Sequence, residues 1–298
     1  MTHLPDLETF CELVSEATLV PVFRRLVADT LTPVSAYCRI VGDDSAFLFE
    51  SVVGGERIGR YSFVGADPFL VLSAQGTQLT VSGEGRDTRT WEVEDPMAEL
   101  EERLQQLPAV QLPGLPRFCG GAVGYAGYDV VRYLEHLPHP AANDRGLPDL
   151  SFAFYDQMIV FDNITKTMTV IVLARIPQQK SALRATYDET CRAVDDIVEQ
   201  LSSEQPTLQP ADIRVGGDVT IAHQSNFQQE EFEKAVEHCV EYIAAGDIFQ
   251  VVISQRLQLK IRSHPFEIYR TLRVANPSPF MFYVRTPSTV LVGSSPEI

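Results

Sequence analysis

The chain has 298 residues, 45% of them apolar and 21% charged, with a formal net charge of −16. That length and apolar content support one large domain or two ordinary ones, and exclude a chain too polar to bury a core. The negative surplus repels phosphate backbones and no basic patch offsets it, which excludes nucleic acid as a partner.

Five cysteines sit at 11, 38, 119, 191 and 239, odd in number and without a C-x-x-C pair. Disulfide frameworks and zinc sites need closer or paired spacing, so these read as free thiols in a reducing compartment. The start, MTHLPDLETF, lacks the basic and apolar regions of a signal peptide. No apolar run approaches the roughly 18 residues of a membrane span. The expectation is a soluble, cytoplasmic protein with no membrane contact.

Apolar spacing predicts a first helix from Asp6 to Ala17. Short strands follow at Ser35–Ile40, Ala46–Ser51, Arg60–Val64, Leu70–Ser73 and Gln78–Val81, with turns at Gly42-Asp43-Asp44 and Gly54-Gly55. The gaps are too short for crossover helices, so the sheet reads as antiparallel. A helix at Pro96–Gln106 has Asp95 as N-cap and Pro96 at its first position. The segment GGAVGYAGYD (120–129) matches neither a dinucleotide fingerprint nor a P-loop, and reads as a strand closely approached by another backbone.

Ser151–Phe161 and Thr167–Ala174 read as paired strands turning at Asp162-Asn163, and Gln179–Leu201 as an amphipathic helix. The polar stretch 202–224, with Pro206, Pro210 and Gly216-Gly217, reads as a linker. It divides the chain into units 1–201 and 225–298. Beyond it, Ser225 and Gln228 have capping-box spacing ahead of a helix that carries Phe232, Ala235, Val236, Cys239 and Ile243 on one face and stops at Gly246. Ile248–Ile253 reads as a buried strand, Pro265–Val274 as a helix, and Phe280–Val284 with Val290–Val292 as a hairpin. The chain stops just after a strand, which reads as a truncation. The expected class is α+β, an antiparallel β-sheet sandwich flanked by helices.

Three places carry chemistry. Gln250 is an amide in an apolar run, either a core residue bonded to backbone or a neutral group facing a pocket. Pro279, Phe280 and Met281 follow a rigid N-P-S-P loop and suit either a flat-ring pocket or plain core packing. Glu297 follows Gly-Ser-Ser-Pro at a strand's end, an address suited to an acid or base. His136 and His139 flank Pro138 with no thiol near them in sequence, which argues against a metal site there.

Six segments in order resemble the large subunit, component I, of anthranilate synthase. They are LVPVFRRLVADTLTPVSAYCRI (19–40), FLFESVVGGERIGRYSFVG (47–65), FCGGAVGYAGYDVVRYLEHLP (118–138), AAGDIFQVVISQRL (244–257), IYRTLRVANPSPFMFYV (268–284) and LVGSSPE (291–297). The later segments are common to chorismate-using enzymes; TPVS (32–35), the Glu50-Ser51 pair and GRYSF (59–63) resemble the anthranilate branch.

The resemblance implies conversion of chorismate and ammonia to anthranilate and pyruvate in tryptophan biosynthesis, with Mg²⁺ as cofactor and a glutamine amidotransferase subunit as partner. It implies an oligomer, with tryptophan as feedback inhibitor held by Glu50, Ser51, Pro279, Phe280 and Met281. Phe49 stands where the family usually has Leu. Glu297 matches the acid that protonates the departing hydroxyl, and Gln250 the position where water-adding relatives carry a lysine base. The metal ligands and the catalytic histidine are expected after residue 298, so the chain alone is expected to be inactive. Alternative readings are an aminodeoxychorismate synthase component I of the folate pathway, or a non-catalytic tryptophan-binding module.

Overall fold

The computed structural model describes residues 2–15, 17–51, 59–83, 86–139, 142–203, 212–213, 216 and 221–295. In chain order the elements are α1 (Leu7–Leu13), β1 (Leu19–Val27), α2 (Pro33–Ile40), β2 (Ala46–Glu50), β3 (Tyr61–Gly65), β4 (Leu70–Gln75), β5 (Gln78–Gly83), β6 (Arg86–Glu92) and α3 (Pro96–Gln105). There follow β7 (Gly121–Ala126), a 3₁₀ segment (Tyr128–Tyr133), β8 (Leu150–Tyr155), β9 (Gln157–Asp162), β10 (Thr167–Arg175) and α4 (Leu183–Ser202). The remainder is β11 (Gln224–Ser225), α5 (Gln229–Ala245), β12 (Leu257–Gln258), α6 (Pro265–Ala275), β13 (Phe280–Arg285) and β14 (Val290–Ser295).

By contact these form two units, Met1–Ala211 with Ile268–Ile298, and Asp212–Glu267. The division by contact therefore differs from the division at the linker: the last thirty-odd residues return to the first unit, because β13 pairs with β2. Of the linker stretch 202–224, Ser202 closes α4 and Gln224 opens β11; most of the rest, and the Gly54-Gly55 turn, lie outside the described residues.

The first unit holds two antiparallel sheets, one in the order β1-β10-β9-β3-β2-β13-β14 and one in the order β6-β5-β4-β8-β7. The α+β sandwich read from the sequence is what forms. Strand alternation turns Phe23, Phe47, Val123, Ala153, Tyr155 and Val160 into one buried cluster, and Leu70, Leu72, Leu79, Leu150 and Phe154 into another beside Leu100 of α3. The stretch predicted as one strand at Ser151–Phe161 is two. It breaks at Asp156, where the chain leaves the five-stranded sheet as β8 and enters the seven-stranded sheet as β9.

Other predicted elements need correcting. Ser35–Ile40 is not a strand but most of α2: Thr32 caps the helix by accepting from Ser35 N at 3.1 Å, Ser35 caps Thr32 N in return at 2.9 Å, and Pro33 takes the first position. The first helix stops at Leu13, four residues short of the predicted end. At α5 the capping pair is Gln228 with Glu231, which reaches the Gln228 N–H at 3.3 Å. Ser225 is instead spent on a local turn with Phe227. β1 and β6 were not foreseen. β1 carries Pro21, which is tolerated because β1 lies at the edge of its sheet.

In the second unit, Ile248–Ile253 is not a buried strand. It has no regular structure, and Phe249 and Val252 are 93% and 79% exposed. A strand needs a neighbour for its N–H and C=O groups and a layer to cover its side chains. Among the described residues of this unit the only strands are the two-residue β11 and β12, so the run has neither. The stripe on α5 is only partly covered: Phe232, Ala235 and Cys239 are half-buried, Val236 and Ile243 are exposed, and no residue of the helix is fully buried.

Cys119 lies in the first cluster, its Sγ donating to Pro116 O at 2.9 Å, and burial pushes its thiol pKa up to about 11. An aromatic disulfide reagent at pH 8 is therefore expected to label exposed Cys11 in the native protein and Cys119 only in denaturant. Equal native labelling at both sites, read by peptide mass, would contradict this packing. Among the described residues no helix is long and apolar enough to cross a membrane.

Candidate functional site: an aromatic cavity at the β2–β13 junction

β2 and β13 are antiparallel neighbours, with Met281 opposite Glu50 and Phe282 opposite Phe49. On the other side of β2, Phe49 faces Phe63 of β3. This pairing brings together segments more than 220 residues apart in the chain. At their ends it leaves a cavity of about 490 Å³ lined by Phe49, Glu50, Ser51, Arg60, Tyr61, Phe63, Pro279, Phe280, Met281 and Phe282. The volume lies within the roughly 300–1,000 Å³ of small-molecule sites. Its wall is mostly apolar, with five aromatic rings among the ten lining residues, and is continuous with the core through Phe49, which stands 5.0 Å from Phe47 between ring centroids.

All five residues assigned to tryptophan by resemblance line this one cavity. Pro279 and Phe280 are half-buried at the cavity, and Met281, which also lines it, is buried in the core. Loop 276–279 is held from within and from β14: Ser278 Oγ donates to Phe280 O at 3.2 Å, and Ser294 Oγ of β14 donates to Asn276 O at 2.6 Å.

The polar groups of the cavity divide in two. Glu50 is 6% exposed and is bonded from α6: the Tyr269 hydroxyl donates to Oε2 at 2.6 Å and Arg273 Nη2 donates to Oε1 at 2.9 Å. Arg273 Nε also lies 2.8 Å from Oε2. A buried carboxylate persists only with such partners. Tyr269 is fully buried; burial first, and then the Glu50 charge, push its phenol far above the usual range, so it donates as a neutral hydroxyl. Ser51 Oγ, in contrast, is buried with no hydrogen-bond partner among the described residues. A buried hydroxyl left unpaired beside an apolar cavity is a group that a polar ligand can satisfy. At the rim, Arg60 donates to Asp162 at 2.9 Å and lies over the Tyr61 ring, 4.9 Å from its centroid.

Gln250 belongs to the second unit, exposed in the irregular run 248–253 rather than buried in a strand. Glu297 lies outside the described residues. Among the described residues no group of three or more His, Cys, Asp or Glu side chains is arranged to hold a metal ion.

Residue-by-residue reading missed Tyr269, Arg273, Tyr61, Phe63 and Phe282. Tyr269 and Arg273 did carry a signal, since their four-residue spacing on a predicted helix places them on one face.

The model of the family described as chorismate binding enzyme matches residues 45–298. The chain is 39% identical over 305 aligned residues to the anthranilate synthase alpha subunit 2, chloroplastic, of Arabidopsis thaliana, covering 97% of this chain and 49% of that protein. To the anthranilate synthase component 1 of Acetivibrio thermocellus it is 34% identical, covering 99% of this chain and 59% of that protein. Among solved structures it is similar to anthranilate synthase component I from Streptococcus pneumoniae TIGR4, with a TM-score of 0.64 and 26% identity over 92% of this chain and 57% of that one. The chain thus spans about half the length of the curated relatives it matches. With the family model matched from Ser45 to the last residue, on a fold that agrees, this chain belongs to the chorismate binding enzymes.

Proposed function

We propose that the chain serves in the large subunit of an anthranilate synthase, and that its first unit holds the tryptophan feedback site. The observation that carries this reading is the convergence of Glu50 and Ser51 with Pro279, Phe280 and Met281 on one aromatic cavity. A flat indole fits among Phe49, Phe63, Phe280 and Phe282, and an amino acid's polar end meets the Ser51 hydroxyl, which has no partner among the described residues.

In the reaction proposed, chorismate and ammonia give anthranilate and pyruvate, with the ammonia supplied from glutamine by an amidotransferase partner. Ammonia adds at C2 of the ring as the C4 hydroxyl leaves, and Glu297 is placed by resemblance to protonate that hydroxyl. Gln250, a neutral amide, suits an incoming ammonia, which is already a nucleophile and needs no strong base. Mg²⁺ is proposed as cofactor, held by residues other than those described.

Titrating L-tryptophan into the chain by calorimetry is expected to show one binding site. Ser51→Ala is expected to weaken it roughly fivefold, the worth of one neutral hydrogen bond. With chorismate, ammonium and Mg²⁺, the same chain is expected to form no fluorescent anthranilate. A wild-type chain that takes up no tryptophan would remove the regulatory reading. Aminodeoxychorismate as the product of the full-length protein would remove the anthranilate reading.

A further inference from the structure

The binding wall and the helix behind it form a closed circuit. Arg273 and Tyr269 of α6 hold the Glu50 side chain, the chain leaves α6 at Ala275, crosses loop 276–279, and re-enters the sheet as β13. There Met281 pairs with Glu50 itself through the backbone. The loop supplying Pro279 and Phe280 to the cavity is thus pinned at both ends to one residue of β2, by side chains at one end and by the sheet ladder at the other. Tyr269 also packs on Tyr283 of β13, 5.9 Å between centroids and near edge-to-face, so α6 and β13 are braced together behind the cavity.

We propose that Tyr269 and Arg273 are positioning residues of the ligand cavity: through Glu50 they fix where the Pro279–Met281 wall stands, without touching the ligand themselves. Neither residue lines the cavity. The inference rests on the reading of the cavity as an aromatic amino-acid site, and adds to it the groups that set its shape. Releasing the clamp lets α6 and the loop after it shift relative to β2. Every ligand that uses the ring wall then loses affinity, whatever its polar groups.

The test uses the 298-residue chain with Tyr269→Phe, Arg273→Lys and Arg273→Met. Tyr269→Phe keeps the ring packed edge-to-face on Tyr283 and removes only the hydroxyl. Each variant is titrated with L-tryptophan and with indole-3-propionate, which lacks the ammonium group, and its melting temperature is recorded. Tyr269→Phe and Arg273→Met are expected to weaken both ligands by about tenfold, the effect of losing one hydrogen bond to a charged group. Arg273→Lys, which keeps the cation, is expected to recover part of the Arg273→Met loss. Melting temperatures that fall while both dissociation constants stay at the wild-type value would overturn the proposal, leaving a purely structural clamp. So would weakening confined to L-tryptophan, because Glu50 would then act only by its charge on the ammonium group. A wild-type chain that binds neither ligand defeats the amino-acid reading, and the positioning role with it. That outcome is told apart from the other two by the wild-type titration alone.

Discussion

Arg273→Met is expected to destabilise the first unit by about 3 kcal/mol, toward the lower end of the roughly 3–5 kcal/mol for breaking a buried ion pair. The lower end applies because the Arg273 side chain is 30% exposed, while that of Glu50 is only 5% exposed. Removing the guanidinium leaves a buried carboxylate with the Tyr269 hydroxyl as its remaining partner from α6. The cost is the uncompensated charge more than the lost attraction. The double variant Glu50→Met with Arg273→Met should therefore recover much of the loss, since two apolar side chains of similar volume replace the whole pair. Trp91 is the single tryptophan and sits in β6 of the first unit, so its fluorescence in a urea titration follows this unit. A single variant as stable as the wild type would show that the pair holds nothing together.

Gly124→Ala is expected to be comparably damaging for a different reason. Gly124 pairs with Phe152 in the β7–β8 ladder, and a Cβ there would stand 1.9 Å from Ser151 O and 2.7 Å from the Phe152 Cα. Both are backbone atoms in the middle of a sheet, which cannot move aside as a side chain can. The strands must separate locally, and overpacking of this kind costs at least the upper part of about 1–3 kcal/mol. Gly42→Ala is the control: nothing lies within 4 Å of its added Cβ, and its effect should be small. Soluble Gly124→Ala protein with an unchanged urea midpoint would contradict the close approach of β7 to β8.

The Gly-rich segment around Gly124 was legible as a strand approached by backbone because glycine spacing records a local constraint. The same holds for Asp95 and Pro96 at the start of α3, and for Gly246, which ends α5 in the left-handed conformation at φ 82°. Caps and turns depend on residues a few positions apart, so they can be read from the chain. The start of α2 is equally local, since Thr32, Pro33 and Ser35 form its capping box, although Ser35–Ile40 reads as a strand.

The candidate site was legible only as two separate pieces joined by resemblance. Residue types suited Pro279–Met281 to an apolar pocket, yet plain core packing would have used the same residues. Burial of Glu50 could not be foreseen, because a Glu at a strand end is ordinarily solvated. What buries it is α6, arriving from the far end of the sequence with Tyr269 and Arg273. Conversely, Ile248–Ile253 has the composition of a buried strand but finds no neighbour to pair with among the described residues.

The sequence by itself determined the start of α3, the stop of α5, the turn at Asp162-Asn163, the α+β class and the two ring-bearing segments, which rest mainly on patterns along a few residues of chain. The tertiary structure alone decided that β13 lies against β2, that this leaves an aromatic cavity at their ends, and that a buried carboxylate is clamped behind it. Strand pairing across more than 220 residues depends on how two sheets close around a shared core, and short-range periodicity carries no record of that.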